Sequence, residues 1–202
     1  RSSMEILRGV TFHQKKSAVS LGKFDEYMYP FYANSLKNGM TQDEAKKIIH
    51  NLYRLLNSYA DGACMLNIGG DTYNELSELI IECQKEFSMP APILGVRIDR
   101  NTSERIWNML IDEKLFSMGQ PTFYGEEACK KALWEKNVSE EETDNFSNNS
   151  CMGISIPAEE FNSMWGCVFM VPAALEAALN TGRIIKCGCE IRVPNIEVPE
   201  NT

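Results

Sequence analysis

Apolar residues recur at helical spacing in three stretches of the chain and run together in two others. Ala45, Ile48, Ile49, Leu52, Leu55 and Leu56 repeat at intervals that put them on one buried face of a helix. Thr41 stands before it with Glu44 in the first turn. A hydroxyl at the cap and a carboxylate one turn on satisfy two free backbone N–H groups reciprocally. Leu76, Leu79, Ile80, Cys83 and Phe87 give a second helix its apolar face, with Thr72 and Glu75 as the expected capping box. Pro90 and Pro92 end it, because proline has no N–H to donate. Asn101 with Glu104 starts a third helix, which buries Ile106, Leu110, Ile111 and Leu115 and ends near Gly119. Between the helices, Cys64–Ile68 and Ile93–Ile98 are apolar without alternation, the pattern of strands covered on both sides. Helix and strand taking turns predict an α/β fold.

The other stretches carry weaker patterns. Residues 1–20 have loose helical spacing. Leu21 to Tyr32 is rich in aromatic rings, and such clusters form core because rings carry large burial energies. Asn38-Gly39 marks a turn. Gly119 to Glu127 is expected to be a loop that opens a helix running through Leu133. Ser139 and Glu142 make a third capping box before a short acidic helix that ends near Phe146. Residues 161–180 are helix-prone, with Pro172 at a break or in the first turn and Gly182 closing the segment. The tail to Thr202, with Pro194 and Pro199, is expected to be extended or loose.

Composition narrows the function. Hydrophobic residues make up 44% and charged residues 24%, enough for a sizeable core in one domain over 1–202. A net charge of −8 argues against nucleic acid or an anionic membrane as partner, since both recruit excess Lys and Arg. No apolar run reaches the roughly 20 residues of a spanning helix, and the first residues lack the apolar centre of a signal peptide. The seven cysteines are odd in number and irregular in spacing, which speaks against a disulfide framework and for a reducing cytoplasm. Only His13 and His50 are present, so a histidine-rich metal site is not expected. His50 falls off the apolar stripe and is expected to be exposed. Gly69-Gly70 lacks the lysine of a phosphate loop.

The chemistry, where there is any, concentrates at Asn148-Asn149-Ser150-Cys151-Met152-Gly153-Ile154-Ser155-Ile156-Pro157. Asn, Ser and Gly favour a turn, while Ile154 and Ile156 pull the flank toward a core. That pattern holds a thiol on a loop tip inside a protein. It is equally what a small buried apolar cysteine would show. Glu159-Glu160 is a carboxylate pair in sequence only and reads as a solvated helix start.

Several of these stretches resemble, in order, those of the glycyl radical enzymes of the pyruvate formate-lyase and diol dehydratase type. Leu21 to Tyr32 is similar to that family's Leu-Gly-Arg-x-Asp-x-Tyr-x-x-Pro-(Phe/Tyr)-Tyr. Thr41 to Glu44 resembles its Thr-x-Glu-Glu helix start. Gly69-Gly70 with Asn74 to Ser77 resembles its Gly-Gly…Asn-x-Leu segment, and Gly119 to Tyr124 its Gly-x-Pro-(Ser/Ala)-(Phe/Tyr) loop. Pro172 to Gly182 resembles its Leu-Glu-Leu-Ala-Leu-Asn-x-Gly helix end.

The resemblance implies a helix-rich partial copy of a ten-stranded α/β barrel. It implies that Cys151 is the catalytic residue, on a finger loop at the barrel centre, where a glycyl radical converts it to a thiyl. Phe123 and Tyr124 would line the substrate pocket. It implies no directly bound cofactor, a glycyl radical on a segment outside this sequence, and a radical SAM enzyme that installs it. A small-molecule substrate and a homo-oligomer complete the expectation. Two positions depart from the pattern: Gly153 stands where many members carry a glutamate base, and no Arg-x-x-Gly-Tyr stretch occurs. Glu159 or Glu160 is the candidate substitute for the base. Two other readings compete. One is a barrel piece without catalysis that binds or assembles. The other is a thiol hydrolase with Cys151 as nucleophile and His13 or His50 as base.

Overall fold

A computed structural model describes residues 18–58, 63–70, 72–87, 89, 91–148, 153–157, 159, 171–180, 183–186 and 189–192. The chain falls into two compact units, residues 1–164 and 165–202.

The first unit is built on four parallel strands whose order in the sheet is their order in the sequence. They are β1 (Ala18–Lys23), β2 (Ala63–Gly69), β3 (Ile93–Ile98) and β4 (Thr122–Gly125). Helices fill every connection: α1 (Phe24–Lys37) and α2 (Gln42–Ser58), then α3 (Glu75–Phe87), then α4 (Glu104–Leu110) and α5 (Glu113–Ser117). All five pack on one face of the sheet. Tyr32, Ile49, Ile80, Leu110 and Leu115 meet Leu66, Ile68, Leu94 and Val96 in a single core. Crossovers of one hand and strands in sequence order put the helices on one side; a doubly wound sheet would divide them between two. The expected α/β class holds, and Ile93–Ile98 is a buried strand as expected.

Local signals placed α2 well. Thr41 Oγ1 accepts from Glu44 N at 3.2 Å and Glu44 Oε2 accepts from Thr41 N at 2.8 Å, a closed capping box. The buried stripe, however, is Ala45, Ile49, Tyr53 and Leu56. Ile48 is 58% exposed and Leu55 40%, because they sit at the margin of the stripe. Tyr53 is buried between helices, with its hydroxyl donating to the Ile80 carbonyl at 3.3 Å.

Other expectations give way to tertiary contacts. Of the stretch 1–20 read as loosely helical, residues 1–17 lie outside the described residues, and Ala18 to Ser20 open the strand β1, because β2 offers them a parallel ladder. The cap of α3 is Asn74, not Thr72: its Oδ1 accepts from Leu76 N and Ser77 N, both at 3.0 Å. The third predicted helix breaks at Ile111, which is 60% exposed. Asp112 caps the second piece by accepting from Lys114 N at 2.9 Å. The expected loop at 119–125 contains β4, drawn into the sheet by pairing with β3 over Gly95–Ile98. After it come α6 (Glu126–Trp134), α7 (Glu140–Thr143) with the Ser139–Glu142 capping box closed, and an antiparallel pair, β5 (Ser147–Asn148) and β6 (Ile154–Ser155).

In the second unit, α8 (Val171–Leu179) carries Pro172 in its first turn, where a missing N–H costs nothing. The tail is more regular than expected: β7 (Arg183–Lys186) and β8 (Cys189–Arg192) pair antiparallel.

Candidate functional site

The face of the sheet turned away from the helices is polar. Parallel register puts Lys23, Asn67, Gly95 and Thr122 in one row, and Gly69, Arg97 and Tyr124 in the next row on the same face. Asn67 and Arg97 are buried in mid-strand, at 0% and 1% exposure. A buried amide or guanidinium needs partners, since leaving one unpaired costs several kcal/mol, roughly 1–3 for a neutral group. Both find them in the backbone of residues 144–148.

That segment crosses the polar face and is gripped at every second residue. Lys23 Nζ and Arg97 Nη1 donate to the Asp144 carbonyl at 3.2 and 3.1 Å. Arg97 Nη1 also donates to the Phe146 carbonyl at 3.0 Å. Asn67 takes Asn148: its Oδ1 accepts from Asn148 N at 3.1 Å, and its Nδ2 donates to the Asn148 carbonyl at 3.5 Å. Asp144 and Asn145 form the turn that ends α7 and only Ser147–Asn148 is strand, so side chains of β1, β3 and β2 hold a helix end, a turn and the start of a strand against the sheet.

Arg97 is itself fixed. Its Nε donates to Glu126 Oε2 at 2.8 Å and its Nη2 pairs with Glu126 Oε1, a two-point fork. Its guanidinium lies 3.9 Å over the Phe146 ring, which packs with Tyr124 and Leu133. Lys130 Nζ bridges Glu126 at 3.1 Å and Asp144 at 2.6 Å. Burial works to raise the Glu126 carboxyl. Hydrogen bonds and charge from Arg97 and Lys130 outweigh it, so the group stays below the usual carboxylate range.

A second polar knot ties the end of β2 to two helices. Asp25 Oδ2 accepts from Gly69 N at 2.9 Å and Ser77 Oγ at 2.6 Å, and Asn74 Nδ2 donates to the Asp25 carbonyl at 3.2 Å. Burial pushes the Asp25 carboxyl up, against these hydrogen bonds. Gly69, at φ 77°, leaves room for Tyr73, whose ring would lie 2.5 Å from any Cβ there. The Tyr73 hydroxyl donates to the Arg97 carbonyl at 2.6 Å, which joins this knot to the polar face.

Asn148 pairs with Ile154 and Ser147 with Ser155, so residues 149–153 bridge the pair and Cys151 is the middle one by sequence. Cys151 itself lies outside the described residues, as do Glu160 and His13. Strand alternation separates the two predicted rings. Tyr124 is buried on the polar face, whereas Phe123 turns to the helix side and packs against Trp107 at 5.7 Å between centroids. Glu159 is exposed in a turn. His50 is half-buried on the helix side, 3.5 Å from Glu86 and stacked on Phe87, with the sheet between it and Asn148. It is no base for a thiol near Asn148. Cys64, Cys83 and Cys129 all have thiols raised by burial, Cys83 to about 12. Among the described residues, no three His, Cys, Asp or Glu side chains form a metal-sized cluster, and no helix is long and apolar enough to cross a membrane.

Sequence reading missed Asn67, Gly95, Arg97 and Glu126. The available signal was a polar or glycine residue interrupting each buried strand, a mark of close backbone approach.

Four parallel strands in sequence order, helices along one face and a polar opposite face define a singly wound α/β protein. The sequence profile described as pyruvate formate lyase-like matches residues 7–197, and the chain belongs to that family. It is 26% identical to an isethionate sulfite-lyase of Oleidesulfovibrio alaskensis over 192 residues, covering 84% of this chain and 23% of that one. It is 25% identical to a trans-4-hydroxy-L-proline dehydratase of Clostridioides difficile, over 82% of this chain and 24% of that one. A crystal structure of a glycyl radical enzyme from Archaeoglobus fulgidus superposes with TM-score 0.69 at 25% identity, over 91% of this chain and 26% of that chain. The chain thus spans about a quarter of the length of the relatives it matches.

Proposed function

We propose that the complete protein is a glycyl radical enzyme that cleaves a C–C or C–X bond of a small metabolite, with Cys151 as its radical carrier. The observation that carries this reading is the grip on residues 144–148, which brings the chain to the polar face of the sheet three residues before Cys151. Two long-range fixations of backbone to strand side chains would be a costly way to place an inert cysteine. They suit a sulfur that must meet a substrate atom to within a fraction of an ångström.

In this reading the sheet is part of a ten-stranded barrel whose other strands pair along the edges of β1 and β4. The helices face out and the polar face lines the interior, which excludes water. A glycyl radical on a segment outside this sequence, installed by a radical SAM enzyme, supplies the unpaired electron. Cys151 gives up the hydrogen atom of its thiol, then takes one from a substrate carbon and returns it to the product. Tyr124, on the interior face and packed against Phe146 and Leu133, is the ring proposed to back the substrate pocket. Phe123, on the helix side, supports the strand. With Gly153 at the position of the usual glutamate, substrates that need a base two residues from the cysteine are disfavoured. Assembly into a homo-oligomer belongs to the same proposal. Cys151→Ala in the complete, activated protein is expected to abolish turnover while leaving the glycyl radical signal in the electron paramagnetic resonance spectrum. Turnover at the wild-type rate would overturn the assignment.

A further inference from the structure

We infer that Asn67 is a positioning residue for Cys151, acting through Asn148, and that Gly95 makes the space in which it does so. The inference rests on the reading of Cys151 as the reacting sulfur, and adds to it the device that sets where the sulfur stands.

Asn67 is a poor choice for stability alone. It sits at the middle of β2, fully buried, where an apolar residue of similar volume would carry no desolvation cost. Its amide is spent almost wholly on Asn148: one atom accepts from the N–H and the other donates to the carbonyl, with Ser20 Oγ as a further acceptor at 3.3 Å. A side-chain amide that pairs both backbone groups of one residue imitates a neighbouring strand at one point, and it specifies which residue stands there. A slip of one residue would turn the Asn148 side chain to the other face and present Asn67 with the wrong groups.

Gly95 closes the fit. A Cβ there would lie 2.7 Å from Asn67 Oδ1, 2.7 Å from Asn148 Nδ2 and 2.9 Å from Asn148 Cγ. Both amides therefore rest on bare backbone of β3. The Asn148 side chain is fully buried, and neither its Oδ1 nor its Nδ2 has a partner among the described residues. It fills the notch over Gly95 and keys the segment at that depth. Asn67 holds the backbone and the notch holds the side chain. The ladder joins Asn148 to Ile154, the two residues that flank the five-residue segment holding Cys151 in the sequence.

The test compares neighbours on opposite faces of β2 in the complete, activated protein. Asn67→Leu removes both hydrogen bonds to Asn148 and the one to Ser20; Leu66→Ala makes a cavity on the helix face. Three quantities are read: steady-state kinetics, amide hydrogen exchange at Asn148, and site-resolved alkylation of Cys151 with Cys64, Cys83 and Cys129 as internal references. Asn67→Leu is expected to lower kcat about 100-fold with KM held within about twofold, as misplacement by about an ångström does. It should also deprotect the Asn148 amide and change the Cys151 alkylation rate at least about threefold, with the reference thiols unmoved. Leu66→Ala should keep kcat and the Cys151 rate well below its melting temperature. Asn67→Asp keeps an acceptor for Asn148 N–H and loses the donor to its carbonyl; it should fall between and serves if Asn67→Leu does not fold. An unchanged Cys151 rate in both Asn67 variants would overturn the inference, as would kinetic losses that match those of Leu66→Ala. Alkylation and exchange need no radical. They therefore still judge Asn67 if Cys151→Ala shows the radical assignment to be wrong.

Discussion

The two faces of one sheet do different work with neighbouring residues. On the helix face, Leu66, Ile68, Leu94 and Val96 meet apolar side chains from five helices. On the other face, Asn67 and Arg97 hold backbone at fixed distances, and Gly95 leaves room for the Asn148 side chain. The first face is where burial stabilises the unit. The second accepts buried polar groups, which are costly, in return for geometry. Buried polar groups of this kind concentrate where a fold is used, because a fold alone does not require them.

The contrast breaks most sharply at Arg97. Arg97→Met leaves Glu126 buried with only Lys130 beside it and strips the Phe146 carbonyl, and is expected to cost roughly 3–5 kcal/mol in urea unfolding of the complete protein. Arg97→Met with Glu126→Leu should recover much of that loss, since both desolvated charges are then gone, yet the Phe146 carbonyl stays unheld. Stability would return without the function of the face. Leu66→Ala, on the helix face, should cost about 2–5 kcal/mol from lost burial and the cavity left behind, with kcat kept. An equal loss of kcat per unit of stability at both positions would erase the distinction.

Acid titration sharpens the same comparison. Glu126 sits below its ordinary range, so its contribution is complete above the unfolded carboxylate value and is lost as pH falls through the lowered folded value. Asp25 sits above its ordinary range. The folded state then holds a proton that the unfolded state has released, and stability falls as pH rises from the ordinary value to the raised one. Glu126→Gln should flatten the acid-side loss. Asp25→Asn, whose amide oxygen keeps the bonds from Gly69 and Ser77, should remove the opposing slope. Urea midpoints followed across the carboxylate range check both. The smallest effect belongs to local structure: Thr41→Ala removes the exposed cap of α2 and should cost about 1 kcal/mol, with little change in kinetics.

What was legible in the sequence was what short-range chemistry decides. The Thr41–Glu44 and Ser139–Glu142 boxes closed as read, because cap and carboxylate lie within one turn. Thr72 failed for the same kind of reason, because Asn74 is a better local cap with Ser77 in reach. Strand β4 was hidden by its Gly-Gln-Pro approach, and only pairing with β3 makes it a strand. The polar face was illegible for a deeper reason. Asn67 and Asn148 are 81 residues apart, and Arg97 and Phe146 are 49 apart. No window along the chain holds both members of either pair. The order of family-like stretches pointed to Cys151 without revealing what holds its neighbourhood.

An experimental structure of the complete protein is the most direct test. It should find Asn148 bonded through its N–H to Asn67 and lying on Gly95, with Cys151 Sγ open to a cavity inside a closed barrel. A Cys151 sulfur packed among apolar side chains with no cavity beside it, or residues 144–148 lifted off the polar face, would contradict the account.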